Sequence, residues 1–260
     1  MKIFSMMNKR RYALLMVGAM VSLMSACGGK QSGKASDENE VISTEQNEPG
    51  DSTVYGLACD GSNDTILVFL PREGGDPDTF HILGASRNQQ VFGRAMIGDK
   101  MAVVVNSRNR HVADRVIDLE ELKGKWCYLV KPEMRARAGI SQRDQRQELS
   151  QDSTFQELMQ PREYGIDIKS DYIAHPIGRT YNLSSDEESP VVFPPLKLYR
   201  QWRIFNGQLI LSETSRDSTG AVCVTHSDTA QFVMMRRDSL VLRFADGSIQ
   251  GYYRKQEVED

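Results

Sequence analysis

Two antiparallel β-barrels in one all-β chain are what the 260 residues predict. Three observations carry this reading. From residue 53 onward, short runs rich in Val, Ile, Phe and Thr recur between turn residues, as strands between turns do. Side-chain alternation with a period of two is clear in the later runs: Ala230, Phe232 and Met234 share one face, as do Leu240, Leu242 and Phe244. Most connections are of hairpin length, and Asn206-Gly207 suits the left-handed angles of a two-residue turn.

Residues 1–26 have the layout of a secretory signal. Lys2, Lys9, Arg10 and Arg11 give a positive start without acids, Tyr12 to Leu23 is apolar apart from Gly18 and Ser22, and Ser25 and Ala26 are small. About a dozen apolar residues are too few to cross a bilayer core of roughly 30 Å as a helix. Met24-Ser25-Ala26-Cys27 resembles the lipobox of bacterial lipoproteins, with Met24 where that family usually has leucine. The resemblance implies that the Cys27 thiol takes a diacylglyceryl group and that the chain is cut before it. Two or more acyl chains hold a protein stably on a membrane, whereas one does not. The implied address is the cell envelope. Gly28, in place of the aspartate that favours inner-membrane retention in related lipoproteins, is compatible with the outer membrane. Ser36-Asp37-Glu38-Asn39-Glu40 resembles the acidic tract that sends some gut-anaerobe lipoproteins to the cell surface, and equally suits a solvated linker.

Residues 27–52 are polar and read as a flexible tether. Gly28 to Lys34 has the glycine and lysine spacing of a phosphate-binding loop, but Ala35 stands where the magnesium-holding hydroxyl belongs, and no strand precedes it. Nucleotide binding is not expected there.

Residues 53–119 form the first domain, a small antiparallel barrel of the oligonucleotide-fold or SH3-like kind. Its candidate strands are Val54–Ala58, Thr65–Leu70, Thr79–Leu83, Gln90–Phe92, Met101–Val105 and Arg115–Ile117, with Asp118–Leu122 as a helical turn. Ile97-Gly98-Asp99-Lys100 followed by Met101-Ala102-Val103 resembles the turn-into-strand of such barrels.

Residues 120–260 form the second domain. Gly124–Val130 opens it, then residues 131–162 form a charged connection with one helix. Ser153 and Gln156 make a capping-box pattern, Phe155 and Met159 lie four apart, and Pro161 stops the helix. Loops of that length are often lids or disordered segments. The strands that follow are Glu163–Lys169, Tyr172–Ile177, Leu198–Phe205, Gln208–Ser212, Ala221–His226, Ala230–Arg236, Ser239–Phe244 and Ser248–Arg254. Hairpin-linked strands in this number favour an up-and-down barrel, since closure removes exposed edges. Gly124-Lys125-Trp126 on the first strand and Tyr252-Tyr253-Arg254 on the last make residues 120–256 resemble lipocalin-like domains of bacterial lipoproteins. The resemblance implies that Arg254 packs over Trp126 and closes the barrel base, a cation–ring contact worth roughly 0.5–2 kcal/mol. Trp126 also reads as one core aromatic among others. A small barrel joined to a lipocalin-like barrel on a lipid anchor is similar to an envelope-stress lipoprotein of Gram-negative bacteria. There the modules run in the reverse order and a Cys-x-x-Cys lies near the anchor. This chain has no Cys-x-x-Cys, so metal sensing is not carried over.

Composition narrows the function. The chain has 32 basic and 35 acidic side chains, and removing residues 1–26 leaves 28 against 35, a net of −7. That argues against nucleic acid, which needs a basic surface. Cys59, Cys127 and Cys223 remain after Cys27. Their apolar, strand-like settings suggest buried thiols, with a Cys59–Cys127 disulfide as the competitor. His81, His111, His175 and His226 show no metal-ligand spacing. His226-Ser227-Asp228 cannot form a hydrolytic triad alone, because neighbours in a strand face opposite ways. Asp186-Glu187-Glu188 reads as a solvated turn before Pro190. Asp-Ser and Asp-Thr pairs, such as Asp64-Thr65 and Asp238-Ser239, resemble O-glycan acceptors of some gut anaerobes and also suit ordinary turns. No catalytic residues, cofactor or metal are expected. The expectation is a non-enzymatic envelope binding module, taking a small apolar or amphipathic ligand inside the second barrel under residues 131–162. The alternative is a protein- or glycan-interaction module with no internal ligand, for which Tyr199, Trp202, Tyr252 and Tyr253 would supply an aromatic patch.

Overall fold

The structure is a computed structural model that describes residues 49–136, 139–149, 153–179 and 189–256. Within them the chain builds two large β-sheets joined by a shared core, and a two-stranded sheet beside them.

The first sheet holds β1 (Thr53–Ala58), β2 (Ile66–Pro71), β3 (Asp78–His81), β4 (Val91–Phe92), β5 (Lys100–Val105) and β6 (Ala113–Asp118), with α1 (Leu83–Arg87) between β3 and β4. Strand order is β3-β2-β1-β5-β6-β4. A parallel bridge from His81 to Val112 brings β3 against the start of β6 and closes the ring. A three-strand meander, a helix, and a strand pair returning beside the first strand is the Greek-key connectivity of an oligonucleotide-fold barrel. Leu67, Phe69, Phe80, Met101 and Val103 fill its interior, with Phe69 and Phe80 edge to face at 5.5 Å. Gly56 is required where β1 crosses β2, because a Cβ there would lie 2.2 Å from the Leu70 carbonyl oxygen. The strand expected through Leu83 instead stops at His81 and a helix begins. Small Gly84-Ala85-Ser86 lets the chain turn tightly, and Ser86 N donates to Ile82 O at 2.8 Å while Ala85 is buried.

Asp118 caps α2 (Leu119–Leu122), its Oδ1 accepting from Glu120 N and Glu121 N at 2.8 and 2.9 Å. The chain then enters β7 (Gly124–Val130). The long connection holds β8 (Glu133–Met134) and two helices, α3 (Gln142–Leu149) and α4 (Ser153–Leu158), where one helix was expected. Ser141 Oγ accepts from Asp144 N, so the overlooked α3 carried its own capping signal.

Next come β9 (Arg162–Ile168), β10 (Ala174–Ile177), β11 (Val191–Val192), β12 (Gln201–Phe205), β13 (Gln208–Arg216), β14 (Val222–Arg236), β15 (Ser239–Phe244) and β16 (Ile249–Arg254). β11 pairs with β8 in a small separate sheet. The other strands form an eight-stranded antiparallel sheet in the order β10-β9-β7-β16-β15-β14-β13-β12. The Ile173–Gln201 bridge and the bond from Trp202 N to Tyr172 O, 2.9 Å, link its two ends. This is a nearly closed up-and-down barrel of the lipocalin-like kind. Its register carries one set of side chains inward around the ring, through the pairs Leu209–Ala230, Phe232–Leu242, Leu240–Tyr252, Arg254–Trp126 and Trp126–Ile166.

The sequence suggested a break at residues 227–229, but β14 is one strand of 15 residues. β13 continues pairing through Leu211–Asp228, Ser212–Ser227 and Glu213–His226. The inward Asp228 carboxylate is satisfied by Tyr199, Lys197 and His226, so the strand continues through a charged position. Beyond Glu213 and His226 the β13–β14 hairpin runs on past β12 and β15 with exposed side chains.

One end of the large barrel is covered by the small one. There Phe92, Ile117, Leu119 and Leu122 join Trp126, Ile168, Leu209 and Leu240 in one apolar cluster, and Phe92 meets Phe232 at 5.3 Å. The small barrel therefore acts as a stopper. Elsewhere on the barrel Phe155, Val191 and Phe193 pack on Tyr164, Tyr128 and Val130. The β12–β13 turn fastens the two sheets further. Asn206 and Gly207 have φ of 48° and 70°. Asn206 Oδ1 accepts from Ser52 N at 2.8 Å, Gly207 N donates to Thr53 Oγ1, and Gly207 O accepts from Arg115 Nη1 at 2.9 Å. The last residues before β1 are thus tied to the second barrel.

Candidate functional site

At the covered base, the Arg254 guanidinium lies 4.2 Å from the Trp126 ring centroid. It donates to the carbonyls of Lys123, Glu121 and Arg237. Trp126 is fully buried, and its Nε1 donates to Leu122 O at 2.7 Å. Gly124 makes room for this: its φ is +130°, and a Cβ there would meet Arg254 Nη1 at 2.4 Å. The pair lies where β16 meets β7 and presents no reacting group.

Cys27, residues 28–48 and Asp186-Glu187-Glu188 lie outside the described residues. Cys59, Cys127 and Cys223 carry free thiols, and only Cys127 is buried. Burial pushes the Cys127 thiol up. Cys223, expected to be buried, is exposed because it sits on the part of β14 that outruns β15. His226 Nε2 and Asp228 Oδ1 are 3.1 Å apart, while Ser227 Oγ meets Ser212 Oγ at 2.9 Å on the other face, so the three form no triad. Among the described residues no group of three metal-ligating side chains occurs.

The interior of the large barrel is filled near its base. Trp126, Phe232, Leu240 and Leu242 are each at most 5% exposed and pack on one another's neighbours. A more polar layer lies further along. Tyr128 meets Tyr252 at 5.3 Å and Tyr164 at 6.4 Å. Tyr199 donates its hydroxyl to Asp228. Burial pushes the Tyr252 and Tyr199 phenols far up. For Asp228, burial pushes upward, but bonds from Tyr199 and Lys197 outweigh it and hold the carboxyl below its usual range.

Open space lies in a groove between the barrels, about 700 Å3 in volume. Tyr55 and Leu57 from β1, Leu70 from β2, Tyr172 from the β9–β10 turn and Trp202 from β12 give its apolar and aromatic lining. Arg72, Lys100, Lys123 and Asp171 give charges of both signs. The aromatics are fixed by their polar tips. Tyr55 donates to Ile204 O and Trp202 Nε1 to Lys169 O, each at 2.9 Å. Tyr172 lies 5.5 Å from Trp202, and Arg72 lies 5.4 Å from the Tyr55 ring. Asp171 and Tyr172 have φ of 59° and 62°. Such left-handed angles cost non-glycine residues about 1–3 kcal/mol and persist only where the surroundings impose them. Here Trp202 N holds Tyr172 O, and Ile173 N holds Ser170 O. The groove joins side chains more than a hundred positions apart, so nothing local in the sequence announced it.

No protein-family model matches the chain, and no curated protein matches it. Among solved structures, a lipocalin-like protein from Bacteroides thetaiotaomicron VPI-5482 is similar at 16% identity and a TM-score of 0.26, covering 51% of this chain and 95% of that one. At that score the overlay adds nothing to the strand order, and the lipocalin-like assignment of the second barrel rests on its own connectivity.

Proposed function

We propose that the protein is a lipid-anchored envelope protein whose exported part is a non-enzymatic binding module, holding a small amphipathic ligand in the groove between its barrels. The observation that carries this reading is the groove. Its volume of about 700 Å3 falls in the range of ligand sites, roughly 300–1,000 Å3. An aromatic floor beside charges of both signs suits a ligand with one apolar face and polar ends. Trp126, Phe232, Leu240 and Leu242 fill the barrel base, so the reading places the ligand outside that end. Met24-Ser25-Ala26-Cys27 supports the anchor.

A second reading, an interaction module for another protein, draws support from the outer β13–β14 hairpin. Its strands pair with each other, but Glu213–Arg216 have no β12 partner and Val222–Ser227 no β15 partner. Such edges can accept an added strand.

The test uses 1-anilinonaphthalene-8-sulfonate as the probe. The expected result is saturable fluorescence from one site. A Leu57→Asp/Leu70→Asp variant should weaken it at least about tenfold, or roughly 1.4 kcal/mol, while Tyr252→Phe leaves it unchanged. No saturable signal, or equal binding by the groove variant, would overturn the groove reading. Loss confined to Tyr252→Phe would move the ligand into the barrel.

A further inference from the structure

The loop between β4 and β5 exposes two neighbouring large apolar side chains, Met96 at 62% and Ile97 at 72%. The loop is stiff. Asp99 Oδ2 accepts from Met96 N at 3.0 Å, and Asp99 N donates to Met96 O at 3.0 Å. Gly98 N donates to Ala58 O and Ala58 N to Asp99 O, at 2.8 and 2.9 Å. The fold therefore holds this apolar tip out in water.

Charge surrounds the tip unevenly. Met96 lines a wide cavity of about 1580 Å3 together with Arg94, Arg236 and Arg237. The acids on that cavity are engaged by the chain itself. Asp99 holds Met96 N, Asp118 caps α2, Glu121 accepts from Arg94 N, Asp167 pairs with Lys169, and Asp238 accepts from Ser239. Among the described residues, the side chains of Arg94, Arg236 and Arg237 have no ion-pair partner. Lys100, also exposed, follows the tip. Among the described residues, three cations without ion-pair partners thus lie beside this exposed apolar tip.

We infer that Met96 and Ile97 dock on an anionic phospholipid bilayer, entering its apolar layer while Arg94, Arg236 and Arg237 meet headgroup phosphates. This rests on the lipid-anchor part of the proposed function. The diacylglyceryl anchor already keeps the chain at the bilayer, so docking of the tip is an intramolecular contact at the effective concentration the tether sets. The chain between Cys27 and Gly50 reaches at most about 80 Å at 3.3–3.6 Å per residue. The tip lies at the far end of β1 from the tether, about 17 Å along the strand at 3.3 Å per residue. An anchor at Cys27 can therefore share a bilayer with the tip.

The test places the lipidated full chain on mixed phosphatidylcholine–phosphatidylglycerol vesicles, with Ile97→Trp as reporter and Leu129→Trp as control. Native Trp126 and Trp202 are buried and give a steady background. The expected result is a blue shift of the position-97 reporter and quenching by brominated phosphatidylcholine, with neither at position 129. Combining Arg94→Gln, Arg236→Gln and Arg237→Gln, or using pure phosphatidylcholine, should lose most of the quenching. Emission unmoved by vesicles would overturn the inference. So would a shift that grows with protein concentration and is not quenched by bromine, since a second copy would then cover the tip. The mass of the Cys27 peptide, read from the same sample, separates the two readings. An acylated chain without the shift removes the docking alone, and an unacylated chain that still shows it removes the anchor alone.

Discussion

Replacing Arg254 with alanine removes the link between the last strand, α2 and the Trp126 ring. The guanidinium donates to Lys123 O at 2.6 Å and to the Glu121 and Arg237 carbonyls, and it stacks 4.2 Å from Trp126. Hydrogen bonds to a charged group contribute about 1.5–3 kcal/mol each, and the cation–ring contact about 0.5–2 kcal/mol. The contacts share one side chain, and water replaces part of what the half-buried carbonyls lose, so these values do not add. The net cost is about 3–5 kcal/mol, below their sum. In urea unfolding the midpoint falls and the slope stays constant. At about 2–4 °C per kcal/mol for a chain of this size, Tm falls by roughly 6–20 °C. Arg254→Lys keeps the charge but not the planar fork, and recovers less than half. A loss under about 1 kcal/mol for Arg254→Ala, or a lysine variant equal to wild type, would refute this reasoning.

Gly207→Ala strains a φ of +70° and drives a Cβ to 2.7 Å from Arg115 Cδ and Val104 Cγ2. It should lower the urea midpoint and speed hydrogen exchange at Ser52 and Thr53, and unchanged exchange there would contradict the fastening of the two sheets by this turn. Burial pushes the Asp118 carboxyl from 3.8 up to about 7, so protonation favours the folded state, and this stabilisation is full below about pH 4 and lost as pH rises through about 7. Asp118→Asn keeps a cap and should gain on wild type across that window in paired urea titrations, whereas a constant difference from about pH 4 to 8 would sink the assignment. Mild alkylation should modify Cys223 first and Cys127 only on unfolding, as peptide mass mapping would show; early labelling of Cys127 would contradict its burial.

Strands were legible where alternation and turn chemistry agreed. Asn206-Gly207 and the faces of β15 could be read directly, because both are local rules. The run of β14 through Asp228 was not, since its continuity depends on Tyr199 and Lys197 arriving from elsewhere. α1 was hidden because Phe80 and Ile82 look like strand until the small residues after them turn the chain. Phe92 and Ile117 read as ordinary core, and nothing in their neighbours shows that they stop the base of a second barrel. Of the residues singled out from sequence, Trp126 and Arg254 meet in space, while Cys27 lies outside the described residues. Asp171 tolerates left-handed angles but Tyr172 does not announce them, so the two-residue turn that shapes the groove had only half a signal.

The groove exists because two barrels share one core and so cannot move apart. Differential scanning calorimetry tests that coupling most directly. The account predicts a single transition whose calorimetric and van't Hoff enthalpies agree, shifted as one peak by Arg254→Ala. Two separable transitions, only one of them responding to that substitution, would contradict it.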